Sequence, residues 1–175
     1  ERPAVHRDGD LHGGSHIWII EKHAGVTRVL LQKRSDDKDS FPGCYDCSCA
    51  GLVDAGENFL STAIRELKEE LSIDAREDEL EFLFKQRVGG EYNFYGECFA
   101  NNEINFVYLL KKHVDIEKLT FQKEEIQGLC WKNADEVLEI LKKQDERESR
   151  GEKGVYAPGS YCIWTDEFEK VLRNI

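Results

Sequence analysis

The sequence predicts an α/β (α+β) fold in which a mixed β-sheet lies between helices. Three observations point there. Apolar, β-branched runs at His16–Glu21 (HIWIIE) and Arg28–Arg34 (RVLLQKR) flank Lys22-His23-Ala24-Gly25 and read as a hairpin. Leu60, Ile64, Leu67 and Leu71 recur at helical spacing. Strand-like and helix-like segments are mixed along the chain, with no internal repeat and no low-complexity tract.

The remaining elements follow in order. Polar Ser35–Ser40 closes on Phe41-Pro42-Gly43, a turn signal. Cys44–Val53 is expected to be extended and to deliver the chain to the glycine at 51. A helix follows from about Asn58, a competent N-cap, to Leu71. Leu80–Val88 and Ile104–Lys111 read as strands, with aromatic-rich Gly89–Asn102 as the loop between them. Glu125–Trp131 reads as a further strand, and Asn133-Ala134-Asp135-Glu136 resembles a capping box opening a helix to about Lys143. Gln144–Ser160, charged and glycine-bearing, reads as a surface loop. Trp164, Phe168, Val171, Leu172 and Ile175 then repeat at helical spacing, so the chain is expected to end in an amphipathic helix.

At 175 residues the chain suits one domain, 1–175, with a real core. It opens at Glu1 and has no methionine, so the natural N-terminus is expected to lie upstream. No apolar run approaches membrane-spanning length, and a net charge of −11 argues against broad nucleic-acid binding. An anionic substrate stays compatible with that charge if a metal supplies the positive field locally. Cys44, Cys47 and Cys49 invite a zinc or redox reading, but no second Cys/His pair completes a tetrahedral site. Buried reduced thiols fit better and suggest a cytoplasmic setting. The oligomeric state is left open, a homodimer included.

Residues 51–73 (GLVDAGENFLSTAIRELKEELSI) carry the chemistry. Glu66, Glu69 and Glu70 stand at i, i+3 and i+4, so a helix gathers them on one face, apart from the leucine stripe. Such a trio is repulsive, by roughly 0.2–0.5 kcal/mol per pair on an exposed helix. Arg65 and Lys68 are expected to project to other sides and to answer that repulsion poorly. A divalent cation answers it well, and Mg²⁺ commonly bridges carboxylates to phosphates. The alternative is a solvated acidic face. Glu57 likewise reads two ways, as a helix-start residue near the positive helix end or as a partner for Arg65 across the loop.

This segment resembles the signature of the Nudix hydrolases: glycine, five residues, Glu, seven residues, Arg-Glu, an aliphatic, any residue, Glu-Glu, any residue, glycine, an aliphatic. The chain matches at Gly51, Glu57, Arg65, Glu66, Leu67, Glu69, Glu70 and Ile73, and departs only at Ser72. The family's glycine there suits a left-handed residue closing the helix, where serine costs about 1 kcal/mol. The resemblance implies a Nudix-type α/β/α sandwich with a mixed β-sheet. It implies hydrolysis of a diphosphate linkage in a nucleoside diphosphate derivative or related phosphorylated small molecule, with Mg²⁺ (or Mn²⁺). Glu66 and Glu70 would be the first metal ligands, with Glu69 and the Gly51 carbonyl contributing, and Arg65 orienting Glu57 behind them. An acidic residue before the last strand often reaches the metal cluster in this family, and Glu125 matches it, although an exposed acidic turn reads equally well. The general base is left between Glu69 and Glu125.

The stretch before Phe41-Pro42-Gly43 is similar to one branch of that family, the isopentenyl diphosphate isomerases. There an arginine and a lysine ahead of a Trp-Pro-Gly turn hold the diphosphate, and Arg34 and Lys38 occupy those places. His6 and His12 resemble the isomerases' N-terminal histidines. The isomerases carry a catalytic cysteine immediately before the signature glycine and a metal-binding histidine immediately after it. Here those positions are Ala50 and Leu52, and Cys49 is one residue off, on the opposite face of a strand. Isomerisation is therefore the weaker reading, alongside a non-catalytic nucleotide-binding role on the same scaffold. Among the aromatics of 89–102 (Tyr92, Phe94, Tyr95 and Phe99), Phe99 is expected to pack, while Tyr92 is open to packing or to stacking a base.

Overall fold

The computed structural model describes residues 8–175, so His6 lies outside the described residues. Eight strands and three α-helices are found among them. Strand β1 (His12–Trp18) is followed after one residue by β2 (Ile20–His23), which turns into β3 (Val26–Arg34). The expected first strand is thus divided. Ile19 is the hinge between two sheets, and its carbonyl still accepts from Leu30 N at 2.9 Å. The extended segment after Phe-Pro-Gly resolves into β4 (Tyr45–Asp46) and β5 (Cys49–Leu52). Helix α1 spans Phe59–Leu71, β6 Leu80–Phe94, β7 Glu97–Leu110, β8 Ile126–Asn133, α2 Ala134–Ser149 and α3 Thr165–Arg173.

One sheet has the order β5-β1-β7-β6 and is mixed, with β1 and β7 parallel and the other pairs antiparallel. The other is antiparallel, with β2 and β4 along one side of β3 and β8 along the other. Central strands are buried on both faces, so alternate residues enter two cores. Ile17, Ile19 and Leu30 pack with Ala63, Leu67 and Leu71 of α1. Trp18, Val29 and Leu31 pack with Val137 and Leu141 of α2 and with Phe168 and Val171 of α3. This gives the layered α/β/α sandwich.

Local chemistry sets the ends of α1. Asn58 Oδ1 accepts from Ser61 N at 2.9 Å while Ser61 Oγ accepts from Asn58 N at 3.1 Å, a reciprocal cap contributing about 1 kcal/mol. At the other end Ser72 has φ 55°, the left-handed conformation the family's glycine would favour. Ile73 then turns back into the core.

Two expectations need correction. Gly89–Asn102 is not a loop: β6 and β7 pair continuously out to Phe94 and Glu97 and turn through Tyr95 (φ 54°) and Gly96 (φ 84°). Two consecutive left-handed residues make the tight turn that matches strand twist. Helix α2 also continues to Ser149, taking the first third of the expected 144–160 loop, because Gln144 is buried and exchanges hydrogen bonds with the Tyr161 backbone.

Candidate active site

Helix α1 turns its leucine stripe into the core and carries Glu66 and Glu70 inward beside it, 5% and 7% exposed. Glu66 folds across Gly51 of β5 so closely that a Cβ at Gly51 would overlap its carboxylate. Only glycine leaves room for that approach. Glu70 is deeper chemically: its Oε2 is buried with no hydrogen-bond partner among the described residues. Burial, with the charges of Glu66 and Glu125 behind it, pushes the Glu70 carboxyl up to about 8, against a Cys49 hydrogen bond and the charge of Lys38.

Glu69 parts from the other two. Its side chain is 55% exposed and is held at 3.0 Å by Arg65 Nη1. Arg65 also corrects the expectation that it answers the glutamate repulsion poorly. Its guanidinium donates to Glu66 Oε1 of the next residue (2.8 Å), forks back onto Glu57 (3.0 and 3.1 Å) and touches the Leu52 carbonyl (3.3 Å). A long flexible stem lets a residue adjacent in sequence span what Cβ directions alone forbid. Arg65 and Thr62, by donating to Glu57, hold that carboxyl below its usual range. Glu57 and Arg65 therefore meet across the loop-to-helix junction.

Opposite α1, the segment before β8 brings Glu125 to the same cleft. Its carbonyl accepts from Ser35 N at 2.9 Å, and its carboxylate is paired with Lys38. Arg34 is engaged too, donating to Asp46 Oδ2 at 2.9 Å and to the Ser40 carbonyl at 3.0 Å. Glu70, Gly51, Arg34, Lys38 and Glu125 line one cleft of about 1020 Å³. Of the aromatics, Tyr92, Phe94 and Phe99 all pack edge-on against Phe41, and Tyr95 stands 75% exposed at the hairpin tip.

Other residues of the cleft carried no sequence signal. His16, Asp46 and Glu103 line it, yet each reads in sequence as an ordinary strand polar residue. Cys49 is buried in the α1-side core while Ala50 packs toward the other face, as the strand alternation requires. All six cysteines are free, with Cys44, Cys47 and Cys49 buried and Cys98 exposed. No helix among the described residues is long and apolar enough to cross a membrane.

The site's fit to a divalent cation can be judged from these donors. Every candidate is a hard oxygen, and one buried carboxylate oxygen lacks a partner. The contact between Glu66 and Gly51 places a carboxylate against the strand whose carbonyl is a further candidate ligand. Among the described residues no three acidic, histidine or cysteine side chains form a complete ligand set on their own. Mg²⁺ does not require one, since it usually takes one or two carboxylates and completes its shell with water and substrate phosphates. The residues fit such an ion.

Comparison with known proteins agrees with this geometry. The NUDIX domain family matches residues 11–151. The chain belongs to the Nudix hydrolase family, in the branch similar to type 1 isopentenyl diphosphate isomerases but lacking the isomerase cysteine. It is 40% identical over 152 residues to Nudix hydrolase 3 of Arabidopsis thaliana, covering 82% of this chain and 18% of the plant protein. It is 34% identical over 151 residues to isopentenyl-diphosphate Delta-isomerase 1 of Mus musculus, covering 77% of this chain and 61% of the mouse protein. The chain thus spans less than two thirds of either relative. Among solved structures, a Deinococcus radiodurans protein superimposes with a TM-score of 0.55 at 20% identity, over 93% of this chain and 82% of the other, a likeness of fold.

Proposed function

We propose that this domain is a Mg²⁺- or Mn²⁺-dependent pyrophosphohydrolase that cleaves a diphosphate linkage in a nucleoside diphosphate derivative or related phosphorylated small molecule. The observation that carries the reading is Glu70: a buried carboxylate, one oxygen unpartnered, beside Glu66 and at the wall of an open cleft. Glu66, Glu70 and the Gly51 carbonyl would hold the ion, which when bound supplies neutralisation of phosphate charge and acidification of water. Arg65 fixes Glu66 from behind, and Glu57 anchors Arg65 in turn. Lys38 and Arg34 line the same cleft and would donate to phosphate oxygens, Arg34 as a fork and Lys38 as a point charge.

The base is assigned to Glu125 over Glu69. Glu125 lines the cleft beside Lys38 and acts electrostatically on Glu70, whereas Glu69 is 55% exposed and is not among the residues lining the cleft. In this role a Glu125 carboxylate oxygen takes the proton as water attacks one phosphorus, and the bridging P–O bond breaks with the second phosphate leaving on the bridging oxygen. The isomerase reading finds less support, because Ala50 and Leu52 offer neither a thiol nor an imidazole.

A panel of nucleoside di- and triphosphates, nucleotide sugars, dinucleoside polyphosphates and prenyl diphosphates with Mg²⁺ tests the proposal. Release of phosphate or a monophosphate by the wild type, and none by Glu70→Gln, is expected. Allylic diphosphate formation, or equal rates for the two proteins, would overturn it.

A further inference from the structure

Glu167 of α3 is 1% exposed, and its carboxylate is fully engaged by the strands beneath it. His16 Nδ1 lies 2.9 and 3.0 Å from its two oxygens, Trp18 Nε1 donates at 3.0 Å and Gln86 Nε2 at 2.7 Å. Trp18 and Gln86 are neutral donors, so they leave a buried anion without charge compensation, which is costly. His16 is the cation that answers it. Burial opposes a charged ring there, but the Glu167 charge and hydrogen bond outweigh it, with Glu103 of β7 and Asp46 of β4 adding to them, and raise its pKa to about 9.

An imidazolium donates from both nitrogens. Nδ1–H is committed to Glu167, which fixes the ring. The ring is 14% exposed and lines the cleft, and Nε2 bonds no other described residue. His16 sits directly across from Ala50 in the β1–β5 register, so the two share a face. Gly51, the next residue, carries Glu66 on the opposite face. The cleft therefore wraps the β5 edge, with the glutamates of α1 on one side and a charged donor on the other.

We propose that His16, oriented by Glu167, donates its Nε2–H to an anionic oxygen, phosphate or carboxylate, on the part of the substrate that passes beyond the metal-held diphosphate. This rests on the pyrophosphohydrolase reading for the diphosphate, but the donor itself is testable without turnover. Charge-assisted bonds of this kind are about twice as strong as neutral ones. The competing role is a purely structural tie between α3 and the sheet.

The test is long-range ¹H–¹⁵N spectroscopy of the ¹⁵N-histidine-labelled chain in metal-free buffer, titrated in parallel with inorganic phosphate and with acetate. His16→Gln assigns the resonance, and Glu70→Gln disables the carboxylate site. A saturable shift of His16 Nε2 in wild type and in Glu70→Gln is expected, and the anion that produces it identifies the acceptor. Glu167→Gln should move the His16 titration toward 6.5 and abolish the shift at pH 8. Absence of any His16 shift with either anion, with the fold intact by melting, overturns the proposal and leaves a tie. Glu70→Gln is expected to bind the probe without turning over substrate, so loss of the hydrolase reading and loss of this one give different results.

Discussion

At the scale of single residues, the two carboxylates that matter differ in what surrounds them. Glu66 has Arg65 against it, whereas Glu70 has a buried oxygen without a partner. That contrast has a measurable consequence for stability. Glu70→Gln removes a carboxyl that burial and Glu66 disfavour as an anion, so the metal-free variant should be more stable by about 1–3 kcal/mol while losing activity. Thermal melts in chelator alongside turnover assays check both halves. Gly51→Ala forces the Glu66 carboxylate out of its place over β5, and activity should fall by about 100-fold or more, the scale on which a misplaced group acts. Steady-state rates measure that loss, and an active Gly51→Ala enzyme would contradict the placement.

The residue-scale picture was partly legible in the sequence. Offsets of three and four place carboxylates on one helical face, but they do not say which sink inward. Glu66 and Glu70 follow the leucine stripe into the sheet, while Glu69 lies a step around the helix, where water and Arg65 take it. The fork of Arg65 onto Glu57 was legible because it needs only a loop that returns to the helix start. His16 and Glu167 were not, since 151 residues separate them and nothing local marks a pair that meets only through the fold.

Among elements, α1 depends on its two ends. Ser72 holds φ 55° without glycine's freedom, so Ser72→Gly should stabilise the chain by about 1 kcal/mol and leave catalysis unchanged. For a chain of this length that is a rise of roughly 2–4 °C in Tm. A lower Tm would show that the serine makes a compensating contact. The caps of α1 were readable from Asn58, since side-chain capping is local chemistry. The β6–β7 hairpin was not. Gly89-Gly90 signals a break, and the true turn puts Tyr95 where asparagine or glycine is the usual cue.

For the whole molecule, two buried groups set the pH response in the same direction. Glu70 has its carboxyl raised from 4.5 to about 8, so between those values the native state holds more protons than the unfolded chain. Its contribution therefore falls as pH climbs from 4.5 to 8. His16 is raised from 6.5 to about 9, so the stability it contributes is complete below 6.5 and disappears as pH rises through 9. Denaturant melts of the metal-free protein should thus lose stability steadily from about pH 5 to 9, and Glu167→Gln should flatten the upper part of that slope. The layered fold itself was legible from alternating burial in β1 and β3, which feeds two cores. The division into two sheets at Ile19 was not, because a one-residue break leaves the apolar run of 16–21 looking continuous.

The direct measurement is calorimetric titration of Mg²⁺, then Mn²⁺, into the wild-type chain and Glu70→Gln, with and without a non-hydrolysable diphosphate. Saturable binding by the wild type, strengthened by the diphosphate and lost in the variant, is the expected result. Absence of heat from the wild type under every condition, or equal binding by both proteins, would contradict a cation seated between Glu66, Glu70 and Gly51.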